Sequence, residues 1–411
     1  MLQLVTALPG RVLEKHLDRY IRRLREKISL PLALRLWNGN ELRLSATPKV
    51  RLLLKTPASL GPIIHPGLDR LGEAYVEGKI DVEGPISEVI RIANLLSEFG
   101  GGNDLRPTRR RKRHSRQIDA DSIGYHYDVS NDFYRAWLDR GMVYSCGYFK
   151  NASDSLEIAQ QQKIDHVLNK IDLKPGERLL DIGCGWGGLV IRAAQKYGAR
   201  CVGITLSQNQ HALATQRVKE ADLEDRVEIR IQDYRDIRGS FDKITSVGMF
   251  EHVGLENLRS YFASVRDLLT ERGVALNHGI TSTDPDSCET PYGGGRFIHR
   301  YVFPHGELPH ISLTLKEMSA AGLEATDVEN LRLHYAHTLE HWSERFEANA
   351  ERLRELTGEK NFRIWRIYLA GCAYGFRQNW MALHQIVACK PQSSFAAHPL
   401  PPSRDYMYRG G

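Results

Sequence analysis

One stretch constrains this chain more than any other: Leu179-Leu180-Asp181-Ile182-Gly183-Cys184-Gly185-Trp186-Gly187-Gly188. Leu179 to Ile182 read as the end of a buried strand. The glycines that follow let the backbone turn sharply and approach a bound molecule where a Cβ would collide. Leu189 to Tyr197 then reads as a helix, so its N-terminus faces the turn. Strand, glycine-rich turn and helix in this order form one half-site of a doubly wound α/β sheet.

The segments downstream continue the alternation. Strands are expected over 179–182, 200–204, 227–231, 242–247 and 273–277, with helices over 188–197, 208–221 and 257–270 between them. This pattern implies a mostly parallel sheet whose ligands sit beyond the C-terminal strand ends. Those ends carry Asp181 to Gly185, Thr205-Leu206-Ser207, Asp233-Tyr234, Gly248 to His252 and Asn277 to Ile280, so five groups spread over a hundred residues converge on one crevice. A G-x-G alone fits NAD enzymes, methyltransferases and plain tight turns. The D-x-G-x-G-x-G found here resembles the first motif of class I S-adenosylmethionine methyltransferases more than the G-x-G-x-x-G of NAD enzymes. Glycines 293–295 with Pro291, Pro304 and Pro309 read as an insertion covering the site, and 314–321, 339–356 and 361–384 as helices. The expected fold is α/β: a Rossmann-like class I methyltransferase domain with a mostly parallel doubly wound sheet, joined to a smaller N-terminal α+β domain.

That N-terminal domain spans 1–103. Residues 11–28 place Val12, Leu13, Leu17, Ile21 and Leu24 at helical spacing among arginines and lysines. Such a helix either lies on an anionic membrane or packs its apolar face on its own domain. Residues 32–56 read as strands with an Asn38-Gly39 hairpin turn, and 85–98 as a helix. A linker over 104–120 holds Arg106 to Arg116, a basic run with no nucleic-acid recognition motif beside it. It suits anionic lipid headgroups, at about 1 kcal/mol per basic residue near the surface. The catalytic domain is expected over 121–398 and a disordered tail over 399–411. No stretch approaches the ~18 uncharged apolar residues of a membrane span, and the N-terminus lacks the pattern of a secretory leader. The six cysteines form no C-x-x-C pair. That argues for a reducing compartment and against a disulfide framework or zinc site.

From Ile123 the chain becomes dense in aromatics and small polar residues: Tyr125-His126-Tyr127-Asp128-Val129-Ser130-Asn131-Asp132-Phe133-Tyr134, then Tyr144-Ser145-Cys146-Gly147-Tyr148-Phe149. These, with L-L-D-I-G-C-G-W-G-G-L, G-I-T-L-S-x-x-Q, G-M-F-E-H-V-G, H-G-I and the late L-A-G-C-A-Y-G-F, resemble cyclopropane-fatty-acyl-phospholipid synthases and the related mycolic acid methyltransferases over about 120–390. The resemblance implies transfer of the S-adenosylmethionine methyl to the cis double bond of a phospholipid acyl chain, loss of a proton and closure of a cyclopropane ring. It assigns the cofactor to Asp181, Gly183, Cys184 and Gly185, to Thr205, Leu206, Ser207 and Gln210 near the ribose, to Asp233 and Tyr234 near the adenine, and to Tyr144 and Ser145 over the methionine end. It implies a bicarbonate ion as base, cradled by Cys146, Glu251, His278, Ile280 through its backbone, and Tyr335, with Cys372 close by. It also implies a homodimer on the inner face of the membrane, in the cytoplasm, and no nucleic acid.

Each residue has a bland reading too. Glu251 can be a helix-start carboxylate and His278 a core histidine bonded to backbone. His337 and His341 share a helix face at i, i+4, but the pattern is not H-E-x-x-H and no metal is expected. Two other outcomes stay open: a fatty-acyl C-methyltransferase giving a methyl or methylene branch, and a lipid-binding module with a degenerate methyltransferase domain.

Overall fold

The computed structural model describes residues 10–100, 130–286, 295–304 and 306–408. The basic run 106–116, Tyr125 to Val129 and Gly293-Gly294 lie outside them. The chain divides into two compact units: Met1–Thr108, Thr290–Val302 and Ala350–Tyr374 in the first, Arg109–Glu289, Phe303–Asn349 and Gly375–Gly411 in the second. Two segments of the catalytic domain expected over 121–398, Thr290–Val302 and Ala350–Tyr374, group by contact with the N-terminal unit. Arg363 explains one of them. Its guanidinium donates to the Tyr75 carbonyl and to Asp81 Oδ2, both at 2.9 Å. Gly72 explains the other, since a Cβ there would stand 3.1 Å from the Phe297 ring.

In the first unit β1 (Leu32–Arg35), β2 (Glu41–Arg43), β3 (Val50–Leu54) and β4 (Ile80–Glu83) form a sheet of order β2-β1-β3-β4. β1 and β2 are antiparallel across the expected hairpin, where Gly39 takes φ +87°. The helix Gly10–Lys27 buries Leu17, Ile21 and Leu24 in this unit's core beside Leu32, Leu34 and Val50. Its apolar face is therefore occupied, and it presents to solvent Arg19, Arg22, Arg23, Arg25 and Lys27 together with Asp18 and Glu26.

In the second unit seven strands run in the order β10-β11-β9-β8-β5-β6-β7: β5 (Arg178–Ile182), β6 (Arg200–Thr205), β7 (Val227–Ile231), β8 (Phe241–Val247), β9 (Leu269–Ser282), β10 (Glu324–Asn330) and β11 (Met381–Cys389). β5 to β9 pair in parallel, and β11 is antiparallel to both β9 and β10. The strand order reverses at β5, which is hydrogen-bonded to β6 on one side and β8 on the other. Apolar clusters cover both faces, one holding Val167, Val190 and Ala193, the other Tyr261, Phe262 and Met318.

Three expectations are corrected. The helix read over 361–384 ends at Arg377; Asn379 turns the chain at φ +59° and Met381 opens β11. The tail expected to be disordered from 399 is packed through 408: Leu400, Tyr406 and Met407 are buried, and Arg404 Nε meets Asp327 Oδ1 at 2.8 Å. The fifth strand, placed over 273–277, is the middle of a fourteen-residue one. No described helix is long and apolar enough to cross a membrane.

Candidate active site

The turn after β5 is built as its glycines require. Gly183, Gly185 and Gly187 all have positive φ, at +82°, +55° and +82°. The amides of Gly183 and Cys184 both donate to the Ile204 carbonyl, at 3.0 and 2.9 Å, which ties the turn to β6. Among the described residues nothing lies within 4 Å of the point a Gly185 Cβ would occupy. That space belongs to a cleft of about 140 Å³ at the strand ends. Tyr144, Ser145, Asp181, Gly183, Cys184, Gly185, Thr205, Leu206, Gln210 and Tyr234 all line it. Ser207 and Asp233 do not. Ser207 Oγ caps the helix Gln208–Glu220 by accepting from the Gln210 amide at 3.2 Å, and Asp233 holds Arg235. No acidic residue stands at the end of β6, where a ribose contact is common, and within that strand Gly203 has no room for a side chain, because its Cβ would sit 2.9 Å from Cys184 Cβ.

Asp181 accepts from Thr245 Oγ1 at 2.8 Å, yet burial still pushes its carboxyl up to about 6. Two residues that sequence reasoning missed stand opposite, on the helix Leu156–Lys170. Gln160 Nε2 donates to the Ser145 carbonyl at 2.7 Å, and Lys163 Nζ to Ser145 Oγ at 2.9 Å. Lys163 lines the cleft, and burial pulls it down to about 8. The available signal was a glutamine and a lysine three apart, inside the apolar stripe of Leu156, Ile164 and Val167.

An aromatic wall adjoins the cleft. Tyr144 lies 5.6 Å from Tyr134, 5.4 Å from Trp137 and 5.2 Å from Trp342, ring to ring. Tyr335 continues it, 6.0 Å from Trp342 and 4.7 Å from Phe376.

The residues assigned to a second, anionic ligand form another group. The backbone amide of Ile280 donates to Glu251 Oε1 at 2.7 Å. Gly279 makes this possible, since a Cβ there would come within 2.0 Å of Phe250 Cε1 and 3.2 Å of Glu251 Oε1. Burial pushes the Glu251 carboxyl up to about 7. His278, two positions before Ile280 on β9, faces Gln385 across the ladder, and its Nδ1 takes the Gln385 amide at 3.1 Å. Burial holds this imidazole neutral, and with the Gln385 Nε2 donating to Nδ1 its one proton is the one on Nε2. Among the described residues, Glu251 Oε2 and His278 Nε2 are both buried without a hydrogen-bond partner. Cys146 and Tyr335 meet at Leu331, whose carbonyl accepts from the Tyr335 amide at 3.0 Å and lies 3.9 Å from Cys146 Sγ. The Leu331 amide donates to Leu383, which pairs with Ile280. Glu251, His278 and Ile280 meet at the end of β9, and the Leu331–Leu383–Ile280 ladder links Cys146 and Tyr335 to the same strand; none of the five lines the cofactor cleft. Burial raises the Cys146 thiol far above its ordinary range. Cys372 lies on the segment grouped with the first unit, its thiol pushed up to about 12 by burial. Neither is an ionised nucleophile at neutral pH. His337 is bonded to Glu340 Oε2 at 3.2 Å and His341 stacks on Phe149.

A parallel core with the order reversal at β5, an antiparallel strand β11 and a glycine turn opening on a cleft define the class I S-adenosylmethionine-dependent methyltransferase fold. The profile of the family described as mycolic acid cyclopropane synthetase matches residues 114–386, and the chain belongs to that family. A domain of unknown function matches residues 19–98. The chain is 50% identical over 387 residues to a probable fatty acid methyltransferase of Pseudomonas putida, covering 93% of this chain and 98% of that one. It is 41% identical over 262 residues to the cyclopropane-fatty-acyl-phospholipid synthase of Escherichia coli, covering 64% of this chain and 66% of that one. Among solved structures it resembles mycolic acid cyclopropane synthase CmaA1 complexed with SAH and CTAB, with a TM-score of 0.63 and 35% identity over 66% of this chain and 98% of that one. The chain is an S-adenosylmethionine-dependent methyltransferase of this family.

Proposed function

We propose that this enzyme forms a cyclopropane ring at the cis double bond of unsaturated acyl chains in membrane phospholipids. The methyl comes from S-adenosylmethionine and bicarbonate takes the proton. The carrying observation is the pair of orphaned buried atoms, Glu251 Oε2 and His278 Nε2, beside the Ile280 amide. A neutral imidazole with its proton on Nε2 offers a donor. A carboxyl pushed up to about 7 still carries its proton near neutrality, so it offers a second donor where two plain anions would repel. A small planar oxyanion fits that donor set, and an apolar residue would leave both atoms unsatisfied. The aromatic wall through Tyr144, Trp342 and Tyr335 suits a passing carbocation, whose charge ring faces stabilise. Likeness to the E. coli protein named cyclopropane-fatty-acyl-phospholipid synthase supports the same substrate class.

A second reading gives a methyl or methylene branch instead of a ring. Its support is the 50% identity to the protein named probable fatty acid methyltransferase, over 98% of that protein's length. The two products are told apart by proton NMR and mass spectrometry of lipids from cells expressing the chain. A gain of one CH₂ with the upfield methylene resonance of a cyclopropane supports the ring; the same mass gain with vinylidene protons, or a gain of CH₂ and two hydrogens, supports the branch and refutes the ring. Association with the inner membrane face belongs to the same proposal, and rests on net charge: five exposed bases, Arg19, Arg22, Arg23, Arg25 and Lys27, outnumber the exposed Asp18 and Glu26, whereas the apolar face of their helix is buried. So does a homodimer in the cytoplasm, which analytical sedimentation would test.

A further inference from the structure

Lys163 has no part in the reading above. Its side chain is buried, with 2% of the residue exposed, and it lines the cofactor cleft. Its hydrogen bond is to a neutral hydroxyl, Ser145 Oγ. Among the described residues no carboxylate stands within ion-pair distance of it; Asp139 and Asp181 act on it only from further away. Two turns along the same helix, Lys170 is as deeply buried but meets Asp327 at 2.8 Å and Glu329 at 2.7 Å. Burying an ammonium without a counter-charge is unfavourable, and chains seldom hold one so unless a ligand brings the missing charge.

S-adenosylmethionine carries one anionic group, the carboxylate of its methionine end. Lys163 contacts Ser145, which is assigned to that end, and feels the charge of Asp181 across the same cleft, whereas the ribose and adenine contacts are assigned to the ends of β6 and β7. One buried cation and one buried carboxylate in the same cleft match an α-amino acid, whose ammonium and carboxylate are a bond apart from one carbon. We propose that Lys163 recognises the α-carboxylate of the cofactor and sets the cleft's preference for adenosyl sulfides and sulfonium compounds that keep this group. Ser145 holds the ammonium in place, and Gln160 holds the Ser145 backbone. The inference rests on the cofactor reading of the cleft.

The test is calorimetric binding to the full chain in carbonate-stripped buffer at pH 7. The ligands are S-adenosylhomocysteine and its decarboxylated counterpart, 5′-deoxy-5′-(3-aminopropylthio)adenosine. The parent chain is expected to prefer the first by about 10- to 100-fold, the usual range for a charged hydrogen bond. Lys163→Met should lose that preference through weaker binding of the carboxylate ligand, with the decarboxylated one bound within about threefold of the parent. Without ligand, Lys163→Met is expected to melt at or above the parent, because it removes an unpaired buried charge. A parent that binds both ligands alike overturns the inference with no variant needed, and leaves the cofactor reading intact. A parent that binds neither overturns both. A Lys163→Met chain that keeps the preference, or loses both ligands equally, also overturns it. So does a variant that keeps S-adenosylhomocysteine but needs far more bicarbonate for turnover, which would assign Lys163 to the other anion.

Discussion

Glu251 is held where its charge is costly, and that cost can be measured. Its carboxyl rises from an ordinary 4.5 to about 7 on folding, chiefly through burial, and the Ile280 amide offsets only part of this. At about 1.4 kcal/mol per pH unit, ionising it in the folded chain costs about 3 kcal/mol. The sign follows from proton counting. Between pH 4.5 and 7 the folded chain binds more protons at this site than the unfolded chain, so stability falls as pH rises across that window and levels off above it. Glu251→Gln keeps an oxygen for the Ile280 amide and removes the ionisation. Relative to the parent, the variant should gain nothing from this term below pH 4.5 and up to about 3 kcal/mol above pH 7. Asp181, raised to about 6 by the same cause, bends both profiles alike and drops out of the difference. The assay is urea unfolding of ligand-free protein at pH 4.5, 6 and 8, read by the fluorescence of Trp137, Trp186 and Trp342, all buried in the second unit. The variant should lose turnover while it gains stability, because the proton on Glu251 is then no longer exchangeable with a bound anion. A variant whose stability difference from the parent is flat with pH, or is unfavourable at pH 8, would refute the protonated buried carboxyl and the anion cradle built on it.

Gly185→Val should leave the ligand-free fold intact by circular dichroism yet weaken S-adenosylhomocysteine by at least ~100-fold, since the side chain stands in the open cleft at a positive φ; unchanged affinity in calorimetry would sink the cleft assignment. Gly279→Ala drives a methyl into Phe250 and should cost about 1–3 kcal/mol in urea unfolding, with turnover falling more than cofactor affinity as Glu251 is displaced. Tyr335→Phe should run slowly in carbonate-free buffer and recover in part at high bicarbonate, while Gly185→Val does not recover; a parent at full rate without bicarbonate would assign the proton to another base. Replacing Arg109, Arg110, Arg111, Lys112 and Arg113 with glutamine should cut binding to anionic vesicles by roughly tenfold or more and flatten its salt dependence; identical sedimentation of variant and parent would remove the run from membrane contact.

What was legible in the sequence was whatever a local pattern encodes. The alternation of glycines at 183, 185 and 187 after a buried strand signals a positive-φ turn, and β5 to β8 are short β-branched or apolar-rich segments bounded by turn signals, so the strands and the turn that floor the cleft lie where the pattern puts them. The misses are tertiary. β11 reads Met381-Ala-Leu-His-Gln-Ile-Val-Ala-Cys, an apolar run that periodicity cannot tell from a buried helix, and β10 is a polar edge strand that pairs only because β11 offers it a ladder. The C-terminal segment is ordered by Asp327, Lys170 and a core formed hundreds of residues earlier, none of which composition near 399 reveals. Ser207 and Asp233 have the right chemistry for a ribose or adenine, and each also shapes its own turn, Ser207 as a helix cap and Asp233 by accepting from the Arg235 amide and guanidinium. Lys163 is the reverse case. A lysine within an amphipathic helix normally reads as a solvated or snorkelling residue. Only the fold shows that the helix lays it against Ser145, in a cleft whose other buried charge is Asp181. Sequence motifs therefore located the part of the site where backbone shape matters. The charges that meet the ligand's own charges became visible only after burial could be read residue by residue, because an ion's meaning depends on whether the chain or the ligand supplies its partner.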